Sequence, residues 1–174
     1  MHEVGYEPLT TAMVAERAGA SIGTVYRYFP DRVAVLQAVA ARNLERVIQA
    51  LRTKLEEQAP TTLNGAVATT VETLIDFFRT EQGFRSLRVG DVLDIRPLGG
   101  TRGGNAEIAR VVKDYLHERH GLLLDSSQRV AVETAIDVID ALLGRAFMHS
   151  DRGETTVLSE AKRVSECVVR ELSD

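Results

Sequence analysis

The run GASIGTVYRYF, from Gly19 to Phe29, brings Ser21, Thr24, Tyr26, Arg27 and Tyr28 into two helical turns. Hydroxyls, phenols and a guanidinium gathered this closely make a surface rich in donors. Such groups hydrogen-bond phosphate oxygens and base edges, and a threonine methyl can meet a thymine methyl. Gly23 in their midst permits close approach of the backbone. A helix buried in a bundle has little use for this set.

Two other groupings invite a catalytic reading. His117 and His120 flank Glu118, while Asp137 and Asp140 stand three apart. The histidine pair lacks the third protein ligand and the surrounding shell that zinc needs. His120 directly before Gly121 suits a helix C-terminus, where positive charge is favoured. The two aspartates fall on the polar edge of an apolar helix. RPLGGTRGGN lacks the Gly-Lys-Ser/Thr ending of a phosphate loop, and neither a nucleophile elbow nor a cofactor fingerprint occurs. The expectation is no enzyme, no cofactor and no metal.

The elements that must position the donor-rich run are all helical. Thr10 or Thr11 caps a short helix to about Ala18, Gly19 ends it, and Ser21 caps a second to about Tyr28. Val14, Ala15 and Ala18 are expected on the inner face of the first, with Ile22 and Val25 anchoring the second. This is the spacing of a helix-turn-helix unit. Phe29-Pro30-Asp31 stops and restarts the chain. A long helix from Arg32 carries Leu36, Ala40, Leu44, Val47, Ile48, Leu51 and Leu55 at helical spacing. Further helices follow Pro60, across residues 81–95, from about Asn105 to Arg119, from about Gln128 to His149, and from about Glu154 to Leu172.

Composition agrees with a helical bundle. The 174 residues are 44% hydrophobic, 26% charged and only 5% aromatic, so Leu, Val, Ile and Ala must form the core. No membrane span or signal peptide is evident, which implies a cytoplasmic protein. The single Cys167 excludes an internal disulfide framework. A net charge of −4 argues against a general polyanion binder but leaves local recognition open.

In the helix near 130–147, Val130, Val132, Ile136, Ile139, Leu142, Leu143 and Phe147 cover more than half the circumference. Either the chain encloses that helix or a second copy covers one side. The second copy is the economical cover. It implies a homodimer interface of Val132, Ile136, Ile139, Leu143, Leu158, Ala161, Val164 and Val168.

The segment GYEPLTTAMVAERAGASIGTVYRYFPDRVAVLQAV resembles the DNA-binding part of the TetR family of transcriptional repressors. The family pattern is Gly-Tyr/Phe before Thr-Thr, then Ala-x-x-Ala-Gly-Val-Ser-x-Gly-Thr-Leu/Val-Tyr-x-Tyr/His-Phe. Ala20 departs from it where a larger apolar residue is usual. The resemblance implies an all-α fold, with residues 1–46 as a helix-turn-helix domain and 47–174 as a ligand-binding and dimerisation domain. It further implies a palindromic double-stranded operator as partner and a small apolar or amphipathic effector. Thr11, Tyr26 and Arg32 stand at phosphate-contacting positions, and Ser21, Gly23, Thr24, Arg27 and Tyr28 at recognition-helix positions. Tyr26 and Phe29 also suit packing, and Phe29 is expected in the core. Candidate effector-lining residues are Phe78, Phe84, Leu87, Arg88, Val92, Tyr115, Phe147 and Met148. Arg88, Asp91 and His117 are the candidate polar contacts. Family members open with a helix ahead of the Gly-Tyr turn, whereas this chain starts almost at that turn. An internal or truncated start is therefore expected, and the alternative function is a dimeric interaction bundle without DNA binding.

Overall fold

Side chains that accept a backbone N–H open five of the helices in this computed structural model, which describes residues 9–89 and 103–170. Thr10 accepts from Met13 N at 3.2 Å and starts α1 (Thr11–Ala18). Ser21 accepts from Thr24 N at 3.1 Å and starts α2 (Ile22–Tyr28). Asp31 accepts from Ala34 N at 2.8 Å ahead of α3 (Arg32–Gln58). Thr62 does the same for α4 (Leu63–Thr80), taking Gly65 N at 3.1 Å. Each cap satisfies one of the amides that the first turn leaves without a partner.

α5 (Gln82–Val89) and α6 (Gly104–His120) come next. α7 (Ser126–Phe147) begins with a reciprocal cap: Asp125 Oδ1 accepts Gln128 N at 2.9 Å, and Gln128 Oε1 accepts Asp125 N at 3.1 Å. α8 (Thr155–Arg170) ends the described chain. Among the described residues every regular element is helical, as expected. The expected loop at 96–105 lies outside those residues up to position 102, as do Asp91 and Val92 and the side chain of Arg88.

α7 packs on α4, α5, α6 and α8. Val132, Ile136, Ile139, Leu143, Leu158 and Ala161 are consequently buried within the single chain. This corrects the expected dimer interface: six of its eight residues face the protomer's own core, and only Val164 and Val168 remain half-buried. The surplus of apolar positions on α7 reflects neighbours inside the chain. α8 likewise turns Leu158 and Ala161 inward.

Two apolar clusters result. The larger runs from Val47, Leu51 and Leu55 of α3 through α4 and α6 to α7 and α8. The smaller joins Leu9, Val35 and Leu36, with Val14, Phe29 and Leu87 packed on it. α3 continues unbroken past residues 46 and 47 and serves both.

α5 is tied at both ends of its surroundings. Leu87 reaches the smaller cluster. Arg85, with a side chain only 12% exposed, pairs with Asp151 at 2.8 Å and also donates to its carbonyl at 3.3 Å. Arg79 donates to the Arg152 carbonyl at 3.2 Å. Just before α5, Glu81 accepts two hydrogen bonds from Arg46 at 2.8 and 2.6 Å. The α7–α8 turn held by these arginines closes at Gly153, whose φ is +79°.

Candidate DNA-recognition surface

The unit begins with the crossing of α1 and α2. Ala15 and Val25, 5% and 6% exposed, bury the small side chains that let the two helices approach. Gly19 takes φ 61° and ψ 28°, a left-handed conformation that suits a residue without Cβ. Its N–H donates to the Glu16 carbonyl at 3.1 Å and that of Ala20 donates to Ala15 at 3.0 Å, closing the end of α1. Ser21 then opens α2 almost at once.

Val25 is the one buried residue of α2, so the remaining positions face outward. Ser21, Gly23, Thr24, Tyr26, Arg27 and Tyr28 are all exposed, with Tyr26 at 50% and Tyr28 at 65%. The Ser21 and Thr24 hydroxyls lie 2.9 Å apart. The Arg27 guanidinium sits 5.4 Å from the Tyr28 ring centroid, and its Nη2 reaches the Tyr28 hydroxyl at 3.4 Å. Cation and ring restrain each other while leaving donors on the surface. Arg32 opens α3 half-buried. Within residues 9–32 the charged side chains are Arg17, Arg27 and Arg32 with Glu16 and Asp31.

Three expectations need correction. Thr11 is 7% exposed, because its side chain packs inward at the start of α1. Thr10, which carries the cap, is the exposed threonine there. Ala18 is exposed at the end of α1, beyond the crossing. Ile22 is 48% exposed and belongs to neither apolar cluster of the described residues. A seven-residue helix crossing its neighbour at one point offers only one deeply buried position, and Val25 takes it.

The effector candidates divide. Phe78, Phe84, Tyr115 and Phe147 are buried. Phe78 stacks edge-on to Phe84 at 5.3 Å and lies 5.2 Å from Phe147, which makes a closed aromatic cluster between α4, α5 and α7. Leu87 packs instead on the smaller cluster, and Met148 is 53% exposed after α7. His117 is exposed on α6.

Of the groups weighed for catalysis, His120 and the two aspartates make contacts within the fold. His120 sits edge-on to Tyr115 at 5.8 Å. Asp137 accepts from Asn105 Nδ2 at 2.9 Å, tying α7 to the start of α6. Among the described residues no three His, Cys, Asp or Glu side chains gather where they could hold a metal ion. No described helix is long and apolar enough to cross a membrane.

Comparison with known proteins bears on the geometry of α1 and α2. Residues 61–169 match the family model of the tetracyclin repressor-like C-terminal domain. Residues 1–39 match that of the bacterial regulatory proteins, tetR family. The chain belongs to the TetR family. Over 43 residues it is 49% identical to the HTH-type transcriptional repressor KstR of Rhodococcus jostii, a match covering 25% of this chain and 20% of that protein. Over 95 residues it is 28% identical to the nucleoid occlusion factor SlmA of Haemophilus influenzae, covering 52% and 41%. These segments thus span about a fifth and two-fifths of the curated relatives. A solved TetR-family transcriptional regulator from Streptomyces coelicolor is similar across 98% of this chain and 91% of its own, at 27% identity and a TM-score of 0.77. Members of the TetR family are transcriptional regulators, so α1 and α2 are the family's helix-turn-helix.

Proposed function

We propose that this TetR-family protein is a ligand-responsive repressor that binds a palindromic operator as a homodimer in the cytoplasm. The observation that carries the reading is the surface of α2, which buries Val25 alone and exposes its hydroxyls, phenols and guanidinium. Ser21, Gly23, Thr24, Arg27 and Tyr28 face bases and backbone in the major groove, while Tyr26 and Arg32 contact phosphates. Repression, rather than activation, is supported by the 49% identity to a transcriptional repressor.

The dimer face moves outward from the one expected. Val130, 63% exposed, begins a stripe that continues through Thr134, Val138 and Ala141 of α7. Val164 and Val168 flank it on α8, and Val130, Ala131, Thr134 and Val168 border a shallow groove of about 480 Å³. Two copies joined there present two copies of α2 to successive major grooves, about 34 Å apart or more. The division at residues 46 and 47 is functional on this reading, since α3 passes from the DNA-binding cluster into the larger core. The effector acts by binding the form that cannot engage DNA more tightly than the form that can.

Fluorescence anisotropy with DNA from the gene's own upstream region, and then with a random-sequence pool, tests the reading. The full chain should select one palindrome, lose affinity as salt rises, and lose most binding on Tyr26→Ala. Absence of binding to every sequence in the pool would leave an interaction bundle as the better account.

A further inference from the structure

We infer that Ile22 is a specificity-determining residue, its side chain meeting the 5-methyl group of one thymine in each operator half-site. The inference rests on the DNA-binding reading and goes beyond it to a base. Ile22 is the first residue of α2 and is 48% exposed. The N-terminal residues of a recognition helix are those that approach base edges.

Among the described residues, neither apolar cluster takes up this isoleucine. The smaller apolar cluster is built from Leu9, Val35 and Leu36 with Val14, Phe29 and Leu87, and does not include it. A β-branched side chain also has lower helix propensity than the alanine or lysine that an idle surface position would favour. Its neighbours leave room. Gly23 has no side chain, and a Cβ there would meet nothing nearer than Ser21 Oγ at 3.9 Å. The flanking hydroxyls are engaged with each other: Ser21 Oγ accepts Thr24 N at 3.1 Å and lies 2.9 Å from Thr24 Oγ1. The leading edge of α2 therefore presents a hydrocarbon group beside a locked pair of hydroxyls. The thymine methyl is the apolar feature that base edges display in the major groove.

The test uses the full chain and the operator it selects from a random pool. Each thymine is replaced in turn by deoxyuridine, which pairs identically and lacks the methyl. Binding is measured for the wild type, Ile22→Val and Ile22→Ala. One thymine per half-site should lose about fourfold in affinity when demethylated, the value of one buried methyl group. Ile22→Ala should bind the thymine and deoxyuridine forms equally at that position, with Ile22→Val between. If no thymine shows a methyl effect, or if Ile22→Ala keeps the wild-type methyl effect, the assignment of Ile22 is overturned while DNA binding stands. A wild type that selects no sequence overturns both. Should Ile22→Ala fail to fold, Ile22→Val, which keeps the β-branched shape, decides: a methyl effect undiminished from the wild type overturns the assignment.

Discussion

Replacing Gly153 with alanine should cost about 2–5 kcal/mol of stability, a sum of two separable effects. The first is conformational. At φ +79° a residue with a Cβ is strained, which costs roughly 1–2 kcal/mol. The second is steric. The added Cβ would lie 2.8 Å from Phe147 Cζ and 2.9 Å from Leu158 Cδ1, both in the core of the α7–α8 corner. Overpacking of that kind costs about 1–3 kcal/mol. The turn cannot slide away cheaply, because Arg85 and Arg79 hold Asp151 and Arg152. Urea unfolding at one fixed protein concentration reads the total, since a dimer's stability depends on concentration. Phe147→Leu would empty the place of Cζ, so the double variant should fall short of additivity by about 1 kcal/mol. A loss below about 0.5 kcal/mol for Gly153→Ala, the level of an ordinary surface change, or strict additivity with Phe147→Leu, would refute the packing account.

The relocated dimer face makes a paired prediction: Ala141→Asp should yield a folded monomer by sedimentation, whereas Ile136→Ala, fully buried, should lose about 2–5 kcal/mol with association intact in what remains folded. Ala141→Asp sedimenting as the wild type does would sink the proposed face. The Ser127 hydroxyl, then the Gln128 backbone N–H, hold the Asp125 carboxyl below its usual value. A depressed folded value contributes stability above the unfolded pKa, near 4, that is lost as pH falls through the folded one. Melting temperature should therefore fall more steeply below about pH 4 for the wild type than for Asp125→Asn, and parallel curves would contradict the cap.

What the sequence displays well is what acts over a few residues. Asp31, Ser21 and Asp125 each cap a helix by reaching an amide three positions ahead, a geometry fixed within one turn. The left-handed turn at Gly19 is equally local. Burial is harder to read, because periodicity identifies an apolar face without naming what covers it. Ile136 and Ile139 are as compatible with a partner copy as with the neighbours within the chain that bury them. Ile22 fits a helical apolar pattern, yet so short a helix has only Val25 at its crossing. The link between Arg46 and Glu81 joins residues 35 apart and leaves no pattern that spacing could disclose.

The single run of α3 also acts as a ruler. Its 27 residues extend about 40 Å, and each advances the chain about 1.5 Å while turning it about 100°. Because one end is fixed in the larger core and the other in the small cluster, phase and reach cannot change independently. One residue inserted between Leu36 and Val47 would swing the N-terminal unit about 100° around the rod and point α2 away from its groove. Seven would nearly restore the facing but carry the unit about 10 Å along the axis. The length of this helix thus fixes, on the proposed reading, the operator spacings that a dimer of this chain can recognise.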